Sequence, residues 1–427
     1  MSVSDVNLFL LHFPLLPSSQ NPSKMATLKP FDLPEISSLV ASYLDNPTLA
    51  CCLRVCRAWH SSFAPLIWKE VRVHVIAGST PRGPSLEALE RHSDLITKLD
   101  IVDRRLGLYS MAYPNLHTLK LYCSDNTWPQ PNMFAEFKKE MIPINLIEFC
   151  PSLVRLELVG IGIHIQSDFW RAVTELHHLK ELRLGMANIP SSAVGAFLKS
   201  CKWLESLEMN FASIDVSNID ASVTFPRLRR LKLESMFGSG DIDVLLLVNR
   251  CPLLRTLFWG PEDAGRWQDY FQEFQRYVGR VDWSRVESLR LQVHILDRDL
   301  AIISNEVQRL VELDIYGSFG RYSFKALRRH FATLTLLRVG DKNGIESYML
   351  REILCSCPAL EVLGGSVIAM KEILEDRPWV CVSLKRLDVV FQGYESEKHL
   401  VQLVNERAST LARLEHYISI HIVVPEP

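Results

Sequence analysis

The sequence lacks the features of a secreted or membrane protein. Ten cysteines in 427 residues are far fewer than a disulfide scaffold uses, and no Asn-X-Ser/Thr sequon has a permitted middle residue. The N-terminal apolar run, residues 6–17, is too short to span a bilayer and follows no basic segment. We therefore expect a cytoplasmic or nuclear protein without membrane association, in which residues 1–28 are a disordered leader.

The sequence also lacks an excess of charge and any catalytic motif. Lysine and arginine number 47 against 49 acidic residues, so there is no electrostatic reason to expect a nucleic-acid partner. No phosphate-binding loop, HExxH, GxSxG or paired CxxC occurs, and the carboxylates are scattered. The neighbouring His177 and His178 cannot both face one site on a helix. We expect a protein that is not an enzyme and uses no metal or cofactor.

What the sequence does contain is a repeat. A six-residue string of the form LxxLxL recurs, and from Leu153 onward its starts lie 24 to 32 residues apart. Amphipathic helical segments such as 167–179 separate the strings. This period is typical of leucine-rich repeats, so we predict an α/β solenoid (a horseshoe) over residues 72–427. The strings start at Ile96, Leu116, Leu153, Leu179, Leu204, Leu228, Leu254, Val286, Leu310, Leu334, Leu360, Leu384 and Leu411.

Two insertions interrupt this period, near residues 124–140 and 260–284. The second carries aromatic residues at helical spacing, for which core packing and a ligand-binding rim are both open interpretations. Its aromatic residues are Trp267, Tyr270, Phe271, Phe274 and Tyr277.

Four cysteines occupy equivalent positions, three residues before a string. Repeats two apart place such residues about 10 Å from one another, too far for a disulfide. We interpret them as small buried apolar residues and not as metal ligands. They are Cys150, Cys201, Cys251 and Cys357.

Residues 29–71 form a second kind of segment, with three short helices predicted by their apolar spacing. Asn46-Pro47 ends the first helix, Thr48 is expected to cap the second, and Pro65 is expected to break that helix before a short third piece at 66–68. Forty residues bury little surface alone. Yet the apolar residues exceed one narrow stripe, which favours packing against a partner or an adjoining domain.

The motifs in this segment, LPEI at 33–36, VCRAW at 55–59 and a closing LIW at 66–68, resemble the F-box. The family pattern closes on LW, so the last motif departs from it by one residue. With the repeats that follow, the chain resembles a fungal-type F-box protein with C-terminal leucine-rich repeats. F-boxes bind the Skp-type adaptor of cullin-based SCF ubiquitin ligases. The resemblance implies that the adaptor-facing or motif-core residues are Leu33, Pro34, Ile36, Leu39, Val40, Leu44, Leu53, Val55, Cys56, Trp59 and Trp68.

Target binding is expected on the repeats. In each string the fourth and sixth residues point into the core, so the third and fifth point to the concave face. Phe258 and Leu336 are unusual there, because exposed apolar side chains suggest a contact. The candidate target-binding residues are Arg183, Arg230, Lys232, Phe258, Arg290, Leu336 and Arg338.

The leading hypothesis is therefore a substrate-recognition subunit of an SCF-type ubiquitin ligase, with the Skp-type adaptor, a cullin and a target protein as partners. One alternative is a leucine-rich repeat binding or inhibitor protein whose N-terminal helices only cap the solenoid. Another is an F-box protein that uses the adaptor outside ubiquitin transfer.

Overall fold

The computed structural model divides the chain into two compact units, Met1–Ile67 and Trp68–Pro427. It describes residues 34–74, 84–102, 108, 110–122, 144–214, 223–234, 245–260, 274–275, 278–340, 345–369, 378–392 and 419–420.

From residue 34 onward, the first unit has three helices: α1 (Pro34–Ala41), α2 (Asn46–Cys52) and α3 (Arg57–Trp68), whose last residue begins the second unit. Two boundary predictions are wrong. Asp45, not Thr48, caps α2, because the Asp45 carboxylate accepts the Thr48 N–H at 2.9 Å. Pro65 lies inside α3, where it is exposed. Water can therefore reach the carbonyl that this proline leaves without an N–H donor.

The described residues of the second unit form one sheet of fifteen parallel strands, paired in chain order except that β7 pairs with β5. The α/β solenoid predicted from the repeat is the fold of this unit. Its strands are β1 (Glu70–His74), β2 (Lys98–Val102), β3 (Thr118–Tyr122), β4 (Arg155–His164), β5 (Glu181–Ile189), β6 (Ser206–Asn210), β7 (Ser213–Ile214), β8 (Arg230–Glu234), β9 (Thr256–Gly260), β10 (Ser288–Ile295), β11 (Glu312–Gly317), β12 (Leu336–Val339), β13 (Val362–Ala369), β14 (Arg386–Gln392) and β15 (Ser419–Ile420).

Short helices connect many of these strands, and their apolar residues share the core with the strand leucines. In the segment 167–179, Phe169, Trp170 and Val173 are buried as its helical pattern predicts. The described α-helices are α4 (Leu86–Arg91), α5 (Ile144–Glu148), α6 (Ser167–Thr174), α7 (Ser191–Ser200), α8 (Asp297–Glu306), α9 (Arg321–Leu327) and α10 (Ser347–Leu354). The 3-10 turns are Ser93–Leu95, Cys201–Trp203, Leu245–Arg250, Val278–Arg280 and Arg328–His330.

The string fixes the strand register. Its fourth residue pairs with the fourth residue of the next string, so that Leu119, Leu156 and Leu182 form one continuous row across β3, β4 and β5. These leucines are fully buried or nearly so. A shift of one residue would move every apolar side chain to the other sheet face, which explains why the register holds along the solenoid.

The cysteine positions before the strings are buried, as predicted. Cys150, Cys201 and Cys357 have no exposed surface and Cys251 is 4% exposed. Cys381, three residues before Leu384, occupies the same position and is buried as well. In most repeats the carbonyl of this residue accepts the N–H of the string's first residue, as in Leu153 to Cys150 at 3.2 Å. These cysteines are therefore buried because of their position in the repeat, and not because of any cysteine chemistry.

The two ends of the sheet differ from the sequence prediction. β1 precedes the first string and carries no LxxLxL pattern. At the other end, β14 pairs Arg386 with Ser419 and Leu387 with Ile420. The last strand is thus not the string at Leu411, which lies outside the described residues.

The chain turns after the string with residues in the left-handed region. Met186 and Phe211 take φ of 55° and 53° one residue before Ala187 and Ala212. Both alanines are buried. The Phe211 N–H donates to the Glu234 carbonyl at 2.8 Å, so backbone groups bond here where the typical asparagine is absent.

The insertion at 124–140 lies outside the described residues. In the insertion at 260–284, Phe274 is buried and stacks on Trp259 with ring centroids 5.6 Å apart. Core packing is therefore the correct interpretation for Phe274. The other four aromatic residues of that stripe lie outside the described part.

Candidate functional surfaces

The helical unit presents a cluster of apolar side chains to solvent. Leu39 on α1 is 60% exposed, Tyr43 just after α1 is 83% exposed, and Val55 between α2 and α3 is 62% exposed. Three large apolar side chains left in solvent on one small unit favour contact with a partner. We call Leu39, Tyr43 and Val55 the exposed apolar cluster.

Other residues of the unit form its interior. Phe63 and Ala64 on α3 are buried, as is Leu49 on α2. Trp59 packs edge-on against Phe63, with ring centroids 5.6 Å apart. Five residues predicted to face the adaptor or form the motif core are half-buried: Ile36, Val40, Leu44, Leu53 and Trp59.

Cys56 is exposed and directly precedes α3. Its Sγ lies 3.5 Å from the backbone nitrogen of Trp59, the third residue of the helix, and accepts that N–H. The thiol therefore occupies the position of an N-cap side chain, which favours the start of α3 immediately after it. The resemblance places Cys56 in the adaptor-facing or motif-core set, and the structure adds this capping contact to it.

Trp68 lies in the second unit. Its ring stacks on His92 with centroids 4.5 Å apart, and it packs against the apolar core of the solenoid. Of the remaining predicted residues, Pro34 begins α1 and Leu33 lies outside the described residues.

Sequence reasoning missed two residues of this unit. Tyr43 fits the helical spacing of α1 but follows its end, and it is the most exposed of the large apolar residues described. Phe63 follows the VCRAW motif by four residues, one helical turn after Trp59. That spacing was the available signal for Phe63, whereas the exposure of Tyr43 depends on where α1 ends.

The repeats present a polar sheet face, defined by the third and fifth residues of each string. The fifth residues lie side by side in adjacent strands and alternate in charge along much of the sheet. Opposite charges on neighbouring strands stabilise a sheet. From β1 to β14 the row reads Arg72, Asp100, Lys120, Glu157, Arg183, Glu208, Lys232, Phe258, Arg290, Asp314, Arg338, Gly364 and Asp388.

Glu157 is an example of an acid in this row that pairs with cations on both neighbouring strands. It is 5% exposed and lies between two cations, with Lys120 Nζ at 3.1 Å and Arg183 Nη1 at 3.5 Å. Arg155 on the same strand also pairs with it. Burial alone would raise the pKa of Glu157, but hydrogen bonds from Lys120 and Arg155 outweigh it and hold that pKa below its usual value.

The predicted target-binding residues all lie on the polar sheet face, and several are paired within the row. Arg183 pairs with Glu208, while Arg290 and Arg338 share Asp314 at 3.5 and 3.9 Å. Arg230 is exposed. Leu336 is half-buried at a third position, next to Glu312 of the preceding strand.

A cavity of about 230 Å³ opens where β9, β10 and β11 begin. Three arginines line it, Arg255, Arg285 and Arg309, together with Glu287. Arg255 Nη1 lies 3.9 Å from Glu287, and Arg285 donates to the Pro252 carbonyl. With three arginines and one glutamate, the charged side chains that line this rim have a positive balance.

Within the described part of the chain, no group of three or more histidine, cysteine, aspartate or glutamate side chains is placed to hold a metal ion. In the same part, no helix is both long enough and apolar enough to cross a membrane.

Comparison with known proteins gives one family match, to the model described as F-box-like, over residues 33–74. No curated protein matches the chain. The similar solved structures include the Rad7 and Elc1 complex in yeast (TM-score 0.34, 15% identity, 73% of this chain and 87% of that chain covered), and a TLR13–ssRNA13 complex (TM-score 0.33, 16% identity, 71% of this chain and 42% of that chain covered). The chain thus carries an F-box-like domain at residues 33–74, ahead of an α/β repeat solenoid.

Proposed function

We propose that this protein is the substrate-recognition subunit of an SCF-type ubiquitin ligase. The observation that carries the proposal is the coincidence of the F-box-like match with the exposed apolar cluster in the same forty residues. In this proposal the helical unit docks on a Skp-type adaptor, and the adaptor joins it to a cullin.

The solenoid binds the target protein in this proposal, as in a fungal-type F-box protein with leucine-rich repeats. The chain is not an enzyme; it holds the target near the ubiquitin-conjugating machinery and so raises the effective concentration of the two reactants. It acts in the cytoplasm, the nucleus or both.

The docking step is tested by co-expressing the full chain with a Skp-type adaptor and measuring the adaptor that co-purifies. The test variant is Leu39→Asp with Val55→Asp. Both side chains are about 60% exposed, so the substitutions leave the interior intact. We expect this variant to lose the adaptor, because two carboxylates would be buried without partners in the interface.

Val382→Asp is the matched control, since Val382 is 63% exposed but belongs to the solenoid. It is expected to retain the adaptor. Equal recovery by the wild type and the double variant, or no recovery by either, would leave the leucine-rich repeat inhibitor as the better explanation. Adaptor without cullin in the purified complex would favour an F-box protein that acts outside ubiquitin transfer.

A further inference from the structure

The fifth residues of the strings follow a simple charge rule on the polar sheet face. Each acid of the row from β2 to β11 is flanked by a cation on both sides. Glu157 lies between Lys120 and Arg183, and Asp314 lies between Arg290 and Arg338. Each acid can therefore neutralise part of the charge of two neighbours at once.

The rule breaks at β9. Phe258 occupies the position of an acid, with Lys232 beside it on β8 and Arg290 beside it on β10. Adjacent strands are about 4.8 Å apart, so the Cα atoms of Lys232 and Arg290 stand about 10 Å apart, one on each side of Phe258. Among the fifth residues of the described strings this is the one place where two cations flank an uncharged residue. We call Lys232, Phe258 and Arg290 the Phe258 site.

The ring and both cations are accessible from solvent. Lys232 Nζ lies 5.1 Å from the centroid of the Phe258 ring, a cation–π contact. The side chains of Lys232 and Arg290 are 26% and 44% exposed. The site therefore combines an apolar floor with two ammonium or guanidinium groups at its sides.

The acids nearby neutralise this charge only in part. Glu234 lies 2.7 Å from Lys232, but Asp314 is shared between Arg290 and Arg338. Arg230, the third residue of the β8 string, is exposed and has no ion pair within the described part of the chain. The local balance is positive, in contrast to the alternating charges on either side.

We propose that the Phe258 site receives an acidic side chain of a bound target protein. Its carboxylate would lie between Lys232 and Arg290 and complete the alternation, while its aliphatic part or an apolar neighbour covers the ring of Phe258. The inference rests on the proposed function, since it names the chemistry that the solenoid recognises.

The surrounding acids favour a protein carboxylate over a nucleic acid. Glu208 and Asp314 lie one strand beyond the two cations, and Glu234 lies beside Lys232. A continuous phosphate backbone crossing the site would run against these acids, whereas a single carboxylate meets only the two cations. The whole chain also has a formal charge of -2.

The test uses the purified full chain and a fluorescein-labelled peptide of alternating glutamate and alanine, followed by fluorescence anisotropy at low ionic strength. An alternating lysine–alanine peptide is the charge control. We expect tighter binding of the glutamate peptide. Lys232→Gln and Arg290→Gln should each weaken it by about threefold to fivefold, the range for an exposed ion pair.

Lys120→Gln is the matched control variant. Lys120 also pairs with a glutamate, at 3.1 Å, and lies over an aromatic ring, that of Tyr122 at 4.8 Å. It sits outside the Phe258 site, so its removal should leave the affinity unchanged. Phe258→Glu should lower the affinity for the glutamate peptide by about tenfold, because it places a carboxylate of the chain itself between the two cations.

Three outcomes would overturn the proposal: no preference for the glutamate peptide, equal weakening by Lys120→Gln, or tighter binding of a single-stranded oligonucleotide that the same variants abolish. Adaptor co-purification is measured on the same preparations. Loss of the peptide effect with the adaptor retained rejects the Phe258 site alone, whereas loss of the adaptor with the peptide effect retained rejects the ligase function alone.

Discussion

Asp297 caps the helix of the next repeat through Ser323. The Asp297 Oδ1 atom accepts the Ser323 hydroxyl at 2.5 Å and the Ser323 backbone N–H at 2.8 Å. The same carboxylate accepts the N–H of Gly320 at 2.9 Å and that of Tyr322 at 3.1 Å. A residue that begins α8 thus binds the free N–H groups at the start of α9, which ties two neighbouring repeats together.

Replacing Asp297 by alanine should lower the free energy of unfolding by about 1–3 kcal/mol, because several N–H groups lose their acceptor. The measurement is the midpoint of urea denaturation followed by circular dichroism. Asp168→Ala is the control: Asp168 also lies in the first turn of a helix, but its side chain is 62% exposed and pairs only with Arg171. That change should cost no more than about 0.5 kcal/mol, and an equal loss from both variants would contradict the role of Asp297.

The Asp297 cap should also depend on pH. Partial burial raises the pKa of Asp297, but the hydrogen bonds from Ser323, Tyr322 and Gly320 outweigh it and hold that pKa below its usual value. A carboxyl with a lowered pKa in the folded state stabilises it fully above the unfolded pKa of about 3.9. The difference between wild type and Asp297→Ala should therefore shrink as pH falls below about 4. A constant difference down to about pH 2 would contradict this.

We expect His330 to cause a second dependence of stability on pH, in a higher pH range than that of Asp297. The ring is 2% exposed; Nε2 lies 2.9 Å from the Ser304 carbonyl, and Nδ1 accepts the Leu310 N–H at 3.3 Å. This assigns the neutral tautomer with the proton on Nε2. Burial lowers the pKa of His330, so the folded state resists the protonation that the unfolded chain undergoes. Stability is complete above about pH 6.5 and falls as the pH drops below it.

The His330 effect is measured as the urea midpoint between about pH 7.5 and about pH 5.5. His330→Leu should be less stable than wild type at neutral pH, since the Leu310 N–H loses its acceptor, and its midpoint should fall less on acidification. His178→Leu, at an exposed position, controls for the loss of a histidine as such. An unchanged pH dependence in His330→Leu would show that another group causes the loss.

Structural features that neighbouring residues decide can be predicted from the sequence, whereas features that depend on long-range contacts cannot. The strings predict the register because alternate burial within five residues decides it. β1 carries no such string, and the last strand at Ser419–Ile420 is fixed by pairing with β14, which is a long-range contact. The sequence predicts a helix break at Pro65 because proline removes an N–H, yet an exposed position inside α3 tolerates this loss. The charge row on the polar sheet face is readable once the strings are aligned. The exposure of Tyr43 is not, since it depends on where α1 ends.

Gly365 provides a test of the bulge between β13 and β14. Its φ is +82°, and a Cβ there would lie 1.7 Å from the Val339 carbonyl oxygen. The register shifts at this point, between Gly364 and Ser366. Gly365→Ala should cost about 3 kcal/mol, through both backbone strain and the clash. Gly195→Ala is the control, because no atom lies within 4 Å of its Cβ and the residue is in α7; it should stabilise the protein by about 0.5–1 kcal/mol. Similar urea midpoints for the two variants would contradict the bulge.

Thiol reactivity tests which cysteines of the two units are exposed and which are buried. Cys51 and Cys56 are exposed in the helical unit, whereas five solenoid cysteines are buried. Burial raises the pKa of Cys150, Cys251, Cys357 and Cys381 to about 12 and also raises that of Cys201. Since only the thiolate reacts, brief iodoacetamide treatment at mildly alkaline pH should alkylate Cys51 and Cys56 and spare the five until urea is added. Peptide mass spectrometry locates the modified residues, with the urea-treated sample as the control for complete labelling. Alkylation of Cys201 in the native protein would contradict the burial of its position. Because Val55 adjoins Cys56, protection of Cys56 in the adaptor complex is also expected, and full labelling in that complex would place the adaptor elsewhere.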